Sequence, residues 1–305
     1  MGLMGLFPSC AKEDESEILA QDEIDLAAIA ENYPKIDGST SALPIIQEIY
    51  KAIHSQKFAD GEKAETGLPE TVSQTIYAYL LLIDGGLDLI IVPDPSEEIK
   101  AIAAEQGVEL EYAPICLEAL VFIAHSTTDV DSVTTKQVKS IYTDMQIDNW
   151  AQLGGKDIKI DPLIRNPDSG SHALMEKFIL QGDQIDKELQ EHNQFNSMFF
   201  AIERVESYVN SELAEDMLPI GYTLYYFFLH NKKSQNWNNV KMLNIDGIEP
   251  SDQTIASGQY PYTTNYYAVI RKDAPEDSAS RQLIRWLLSP EGQKTIANAG
   301  FGTIN

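Results

Sequence analysis

Three hydroxyl-rich loops, Gly38-Ser39-Thr40-Ser41, Thr71-Val72-Ser73 and Asp168-Ser169-Gly170-Ser171, each stand ahead of a stretch with helical apolar spacing. The first turn of a helix leaves backbone N–H groups unpaired and carries partial positive charge, so it suits an anion. The alternative is that each Ser or Thr merely caps its helix, which is the commoner role of any one such loop. Three in one chain, one of them just beyond Arg165, favour convergence on a common oxyanion. The Arg165 guanidinium could clamp two oxygens of a tetrahedral anion, against the alternative of a surface ion pair.

Other chemistries find less support. A nucleophile at Ser169 or Ser171 with His172 as base would need adjacent residues of one helix start to face each other, and no G-x-S-x-G elbow is present. His54, His125, His192 and His230 stand singly, and Cys10 and Cys116 lie far apart, so no metal-ligand spacing arises. Gly154-Gly155-Lys156 lacks the spacing of a nucleotide phosphate loop. No catalytic residue, metal or cofactor is expected.

The elements that must position these loops follow an α/β grammar. Pro44, Ile45, Ile46, Ile49, Tyr50 and Ile53 form a helix behind the first loop. Ile76 to Ile83 forms another, stopped by Gly85-Gly86, and Leu87 to Val92 reads as a buried strand. Pro93-Asp94-Pro95-Ser96 then leads into a helix over Glu97 to Gln106. Cys116 to Ala124 reads as a strand, Thr134 to Tyr142 as a capped helix and Leu163 to Arg165 as a short strand. The aromatic run Leu224 to Leu229 is read as a buried strand, with a further strand at Tyr266 to Ile270 and two helices across Ser278 to Asn298. No Gly/Ser linker divides the chain, which fits two lobes that share it discontinuously.

The 305 residues are 43% hydrophobic, enough for a large core, and no apolar run approaches the roughly 20 residues that cross a bilayer as a helix. A net charge of −25, with Lys232-Lys233 and Arg271-Lys272 the only adjacent basic pairs, excludes nucleic acid as a partner. At the N-terminus, apolar Met1 to Ser9 precede Cys10 and then an acidic run. That pattern is similar to a lipoprotein signal remnant, with Cys10 lipidated and residues 1–32 holding the folded part off the membrane. The alternative is a tail with an incidental cysteine.

D-G-S-T-S-A-L-P at Asp37 to Pro44 resembles the first anion-binding loop of bacterial phosphate-binding proteins, the solute receptors of the ABC phosphate importer. R-N-P-D-S-G-S at Arg165 to Ser171 is similar to their second. The segment Val133 to Lys159 and L-L-S-P-E-G-Q-K at Leu287 to Lys294 resemble two further stretches of that family, in the same order.

The resemblance implies a two-lobed, periplasmic-binding-protein-like (type II) α/β fold. Lobe one would hold 33–116 and 262–305 and lobe two 117–261, with hinge strands near Pro114 and Tyr262 to Tyr266. It further implies that Ser39, Thr40 and Ser41 from one lobe and Arg165, Ser169, Gly170 and Ser171 from the other bind inorganic phosphate. Ser73 stands where the family has a Gly/Ser-rich loop, and Asp94, after Val92-Pro93, aligns with a carboxylate of the family. A carboxylate there would accept a hydrogen bond from protonated phosphate and repel sulfate. The implied setting is extracytoplasmic, as a monomeric receptor tethered through Cys10 and presenting phosphate to an ABC permease. A receptor for another oxyanion, or a surface sensor or adhesin with a degenerate site, is the alternative.

Overall fold

A computed structural model describes residues 24–55, 67–208 and 217–304. Cys10 and most of the acidic segment lie outside them.

The central strand is β3 (Leu110–His125), and the rest of the sheet is arranged about it. Its first part pairs antiparallel with β11 (Thr263–Arg271), which pairs antiparallel with β2 (Leu89–Val92), itself parallel to β1 (Ile36–Gly38). Its last part pairs instead with β8 (Met217–Leu224) and β9 (Val240–Met242), and β8 pairs in parallel with β5 (Lys159–Pro162). One ladder therefore serves two α/β lobes. Two small parallel pairs complete the second lobe: β4 (Ser132–Val133) with β10 (Asn244–Ile245), and β6 (Ile164–Arg165) with β7 (Gln194–Phe195).

Lobe one carries α1 (Leu26–Glu31), a 3-10 turn at Thr40–Ala42 running into α2 (Leu43–Ile53), α3 (Thr75–Ile83) and α4 (Glu97–Glu105). Lobe two carries α5 (Thr135–Thr143), α6 (Gly170–Met175), a π-helical segment at Glu176–Leu180, α7 (Lys187–His192), α8 (Met198–Glu206), α9 (Tyr225–Lys232) and α10 (Asp252–Ala256). The chain then returns through β11 to lobe one and ends on α11 (Ala279–Leu287) and α12 (Pro290–Asn298). β2 is covered on both faces. Leu89 and Ile91 join the main core, whereas Ile90 and Val92 point to a second cluster with Ala78, Tyr79 and Leu82 of α3 and Ile99 of α4. Alternate side chains of a strand face opposite ways, so burial on both sides requires the unbroken apolar run seen in the sequence.

Three expectations need correction. The aromatic run at 224–229 is not a strand: β8 ends at Leu224 and Tyr225 opens α9, with Tyr225 to Phe228 all buried. A short run buried on every side carries no period that tells helix from strand. The segment 1–32 is not wholly a spacer, because α1 packs on α2 and α11 with Ile29 fully buried. Asp25 caps it, accepting from the amides of Ala27 and Ala28. The strand also runs unbroken through Pro114. The ladder register shifts beside it, between Tyr266 and Tyr267, and a bulge tolerates a residue that has no N–H. β3 changes partner between Ala119 and Leu120, beyond the expected 116/117 boundary, and the returning strand crosses at 262–263, where Leu120 N donates to Tyr262 O at 3.1 Å.

Glu118 is fully buried at this crossing. Its Oε1 accepts from the amides of Ala119 (3.0 Å) and Tyr226 (2.9 Å), and its Oε2 has no partner. Burial pushes its carboxyl up to about 8, although the amides at the head of α9 oppose the shift. A carboxyl raised on folding binds its proton more tightly in the native state. Its contribution is therefore complete below the ordinary value of 4.5 and is lost as pH rises through 8. Glu118→Gln, a neutral isostere, is expected to flatten the melting temperature between about pH 5 and 8 and to gain on the order of a few kcal/mol at the alkaline end. Parallel melting profiles for the two proteins would show that Glu118 does not titrate in this window.

Candidate functional site

Between the lobes, three loops and Arg165 line a small cavity of about 20 Å3. From lobe one come Ser39, Thr40 and Ser41, where β1 gives way to the 3-10 turn, and Gln74 with Thr75 at the head of α3. Lobe two contributes Arg165 from the end of β6, Ser169 to Ser171 at the head of α6, and Met198.

The first loop is fixed by contacts that its sequence cannot show. Ser39 N donates to Ile91 O at 3.0 Å, and a Cβ on Gly38 would stand 2.3 Å from that same carbonyl, so glycine is required for the close approach. Ser39 and Ser41 share their hydroxyls with the Tyr266 phenol of β11, Ser39 at 2.9 Å. Burial drives the Tyr266 phenol upward, so it stays protonated and neutral. The second loop is tied to the first by Asp37, whose Oδ1 accepts from Gly38 N (2.7 Å) and Ser73 N (2.8 Å). Beyond it the chain turns at Gln74 with φ 78 and ψ 166.

Arg165 is 4% exposed. Its Nε donates to Phe195 O at 3.0 Å, Nη2 to Asn196 O (3.3 Å) and Asn166 Oδ1 (3.4 Å), and Nη1 to Ser171 Oγ (3.4 Å). With five N–H groups on a guanidinium, one on Nη1 has no partner among the described residues. Arg204, Arg271 and Arg281 each meet a carboxylate, but none among the described residues meets Arg165. Burial pulls its pKa down to about 10, so the group is still a cation at neutral pH. A buried cation without a counter-charge is costly, and a bound anion removes that cost. Ser169 caps α6, accepting from His172 N at 3.2 Å, and its hydroxyl lies 3.4 Å from that of Ser171.

The structure thus brings together Ser39, Thr40, Ser41, Arg165, Ser169, Gly170 and Ser171. It leaves two of the expected residues outside the cavity lining. The Ser73 amide is taken by Asp37, and Thr75 lines the cavity in its place. Asp94 pairs with Lys177 and lies 3.5 Å from Thr264 Oγ1, on the wall of a separate groove of about 570 Å3. That groove is much larger than the cavity but is edged by Glu97, Glu98 and Glu176, which suits an anion poorly. His172 faces neither serine hydroxyl: Nδ1 lies 3.4 Å from the Tyr222 phenol and Nε2 3.7 Å from Glu176, and burial pulls the ring down to about 4.

Gln74, Thr75, Met198 and the supporting Asp37 and Tyr266 escaped the sequence reading. Thr75 alone had a signal, as a hydroxyl residue just ahead of Ile76. Gly170 marks where the lobes touch, since a Cβ there would meet Pro93 Cγ at 2.6 Å and Thr75 Oγ1 at 2.9 Å. The cleft is closed.

The PBP superfamily domain matches residues 27–291. The chain is 26% identical over 201 residues to the phosphate-binding protein PstS of Bacillus subtilis (strain 168), covering 66% of this chain and 59% of that protein. It is 24% identical over 276 residues to the phosphate-binding protein PstS of Borreliella burgdorferi, covering 89% of this chain and 90% of that one. Among solved structures, it is similar to a putative phosphate ABC transporter substrate-binding protein with bound phosphate from Clostridium perfringens. That match has a TM-score of 0.68 at 20% identity and covers 88% of this chain and 98% of the other. An ABC-type phosphate transport receptor from Vibrio cholerae gives a TM-score of 0.62 at 19% identity, with the same coverage.

Proposed function

This chain belongs to the PBP superfamily, and from that premise we propose that it is an extracytoplasmic receptor that closes its two lobes around inorganic phosphate for delivery to an ABC permease. The observation that carries the reading is Arg165, a buried cation with no carboxylate partner among the described residues, facing hydroxyls from both lobes. Similarity to phosphate-binding proteins supports it. Thr40, Ser169 and Ser171 supply hydroxyl donors, the loop heads supply amides, and Gly170 lets the lobes meet. Cys10 tethers the receptor to the membrane surface.

The charge of −25 does not oppose this. Exposed charges are screened over about 8 to 10 Å at physiological salt, whereas donors in a closed cavity act at contact. Calorimetric titration of the phosphate-stripped protein is expected to give a dissociation constant in the micromolar range or below, which needs about −8 kcal/mol. No heat of binding up to millimolar phosphate would end the reading.

A further inference from the structure

Glu118 stands one residue before the stretch where β3 changes partner, so its side chain lies where the lobes join. Its Oε1 already holds the amides of Ala119 and Tyr226, and a proton would therefore sit on the unpartnered Oε2. Elements of both lobes cover it. α9 of lobe two brings the Tyr226 amide to the carboxyl, while the Tyr226 ring packs on the C-terminal tail of lobe one, its centroid 6.0 Å from that of Phe301. That tail is fastened beside Glu118 by Gly302 O, which accepts from Leu117 N at 2.8 Å. The fit leaves no slack, because a Cβ on Gly302 would stand 2.4 Å from the Tyr226 phenol oxygen. Packed groups resist compression, so a contact this close in the closed form can only part when the lobes rotate, and water then reaches the carboxyl.

The titratable neighbours do not compete for the proton. The Cys116 thiol of β3, the Tyr266 phenol of β11 and the Tyr225 and Tyr226 phenols of α9 are all driven upward by burial, and Asp252 of α10 lies beside that tyrosine pair. Phe301 and Gly302 bring no charge, and no cation among the described residues pairs with Glu118. A dry carboxyl keeps its proton, whereas a hydrated one ionises near its ordinary value. We propose that Glu118 couples closure of the lobes to protonation, taking up one proton from solvent as they close around phosphate and releasing it as they open. This deepens the receptor reading and rests on it. The closed form holds the proton more tightly, so phosphate affinity gains from this group as pH falls below about 8, and the gain levels off near the ordinary value of 4.5.

The test is calorimetric titration of the whole protein and of Glu118→Gln with phosphate between about pH 7 and 9, in buffers of differing ionisation heat that count the protons exchanged. Phosphate itself titrates in this range, and the comparison cancels its share. The affinity of the wild type relative to the variant is expected to fall about tenfold from the neutral to the alkaline end, with up to one more proton taken up at the neutral end. A constant affinity ratio and equal proton counts would overturn this inference and leave the receptor reading intact. Failure of the wild type to bind phosphate would overturn both. Infrared difference spectra of the wild type alone give a second readout that does not depend on the variant folding. Adding phosphate at neutral pH is expected to strengthen the C=O stretch of a protonated, buried carboxyl, and an unchanged band would overturn the inference.

Discussion

Arg165→Ala is expected to weaken phosphate binding by at least about a hundredfold, equivalent to about 3 kcal/mol. Hydrogen bonds to a charged group contribute roughly 1.5 to 3 kcal/mol each, and an anion left in a closed cavity without its counter-charge forfeits more. The same side chain also binds the carbonyls of Phe195 and Asn196, so folding must be separated from binding. The ligand-free form provides the separation. There the wild type bears a buried, unpaired cation, and its removal offsets much of what the lost carbonyl contacts cost. Melting curves without phosphate should therefore differ little. With phosphate at about a thousand times the dissociation constant, the wild type should gain about 4 kcal/mol and the variant almost nothing. Undiminished stabilisation of the variant would place the anion elsewhere.

Gly170→Ala should also separate affinity from stability. The added methyl would overlap the Pro93 ring across the cleft, so the lobes could not reach the closed contact, and donors from one side would fall short of the anion. A loss of about tenfold to a hundredfold in phosphate affinity is expected. Gly170 stands at the first position of α6 with ordinary negative φ, so alanine adds no backbone strain and improves helix propensity by up to about 1 kcal/mol. The variant should melt no lower than the wild type while binding more weakly, and X-ray scattering with phosphate present should show a more extended particle. Wild-type affinity would mean that closure does not run through this contact.

The loops of the site were legible because each carries its own local signal, hydroxyls ahead of an apolar period, with Arg165 at a strand end. What those loops do with individual groups depended on partners distant in sequence. Ser73 and Asp94 looked like donors and acceptors for a ligand, but Asp37 and Lys177 engage them, and no spacing rule joins 37 to 73 or 94 to 177. Tyr266 was within reach as part of the returning strand, yet its bonds to Ser39 and Ser41 exist only once β11 lies beside β2. The α/β alternation predicted the layers. It could not resolve α9, whose residues are buried on all sides, or α1, whose apolar residues stood in an acidic segment.

The two crossings between the lobes, at Ala119–Leu120 and Tyr262–Thr263, are neighbours in one ladder and share a hydrogen bond. Two adjacent antiparallel strands joined in this way cannot flex independently. They would move as a single leaf. Displacement would then grow in proportion to distance from the leaf, so that in the proposed receptor the Arg165 wall would swing as a rigid jaw. Tyr266 lies on the leaf itself and holds the serines of the opposite jaw. In the proposed receptor the fit of the anion would be geared directly to the angle between the lobes, which is the quantity that a permease docked across both of them would sense.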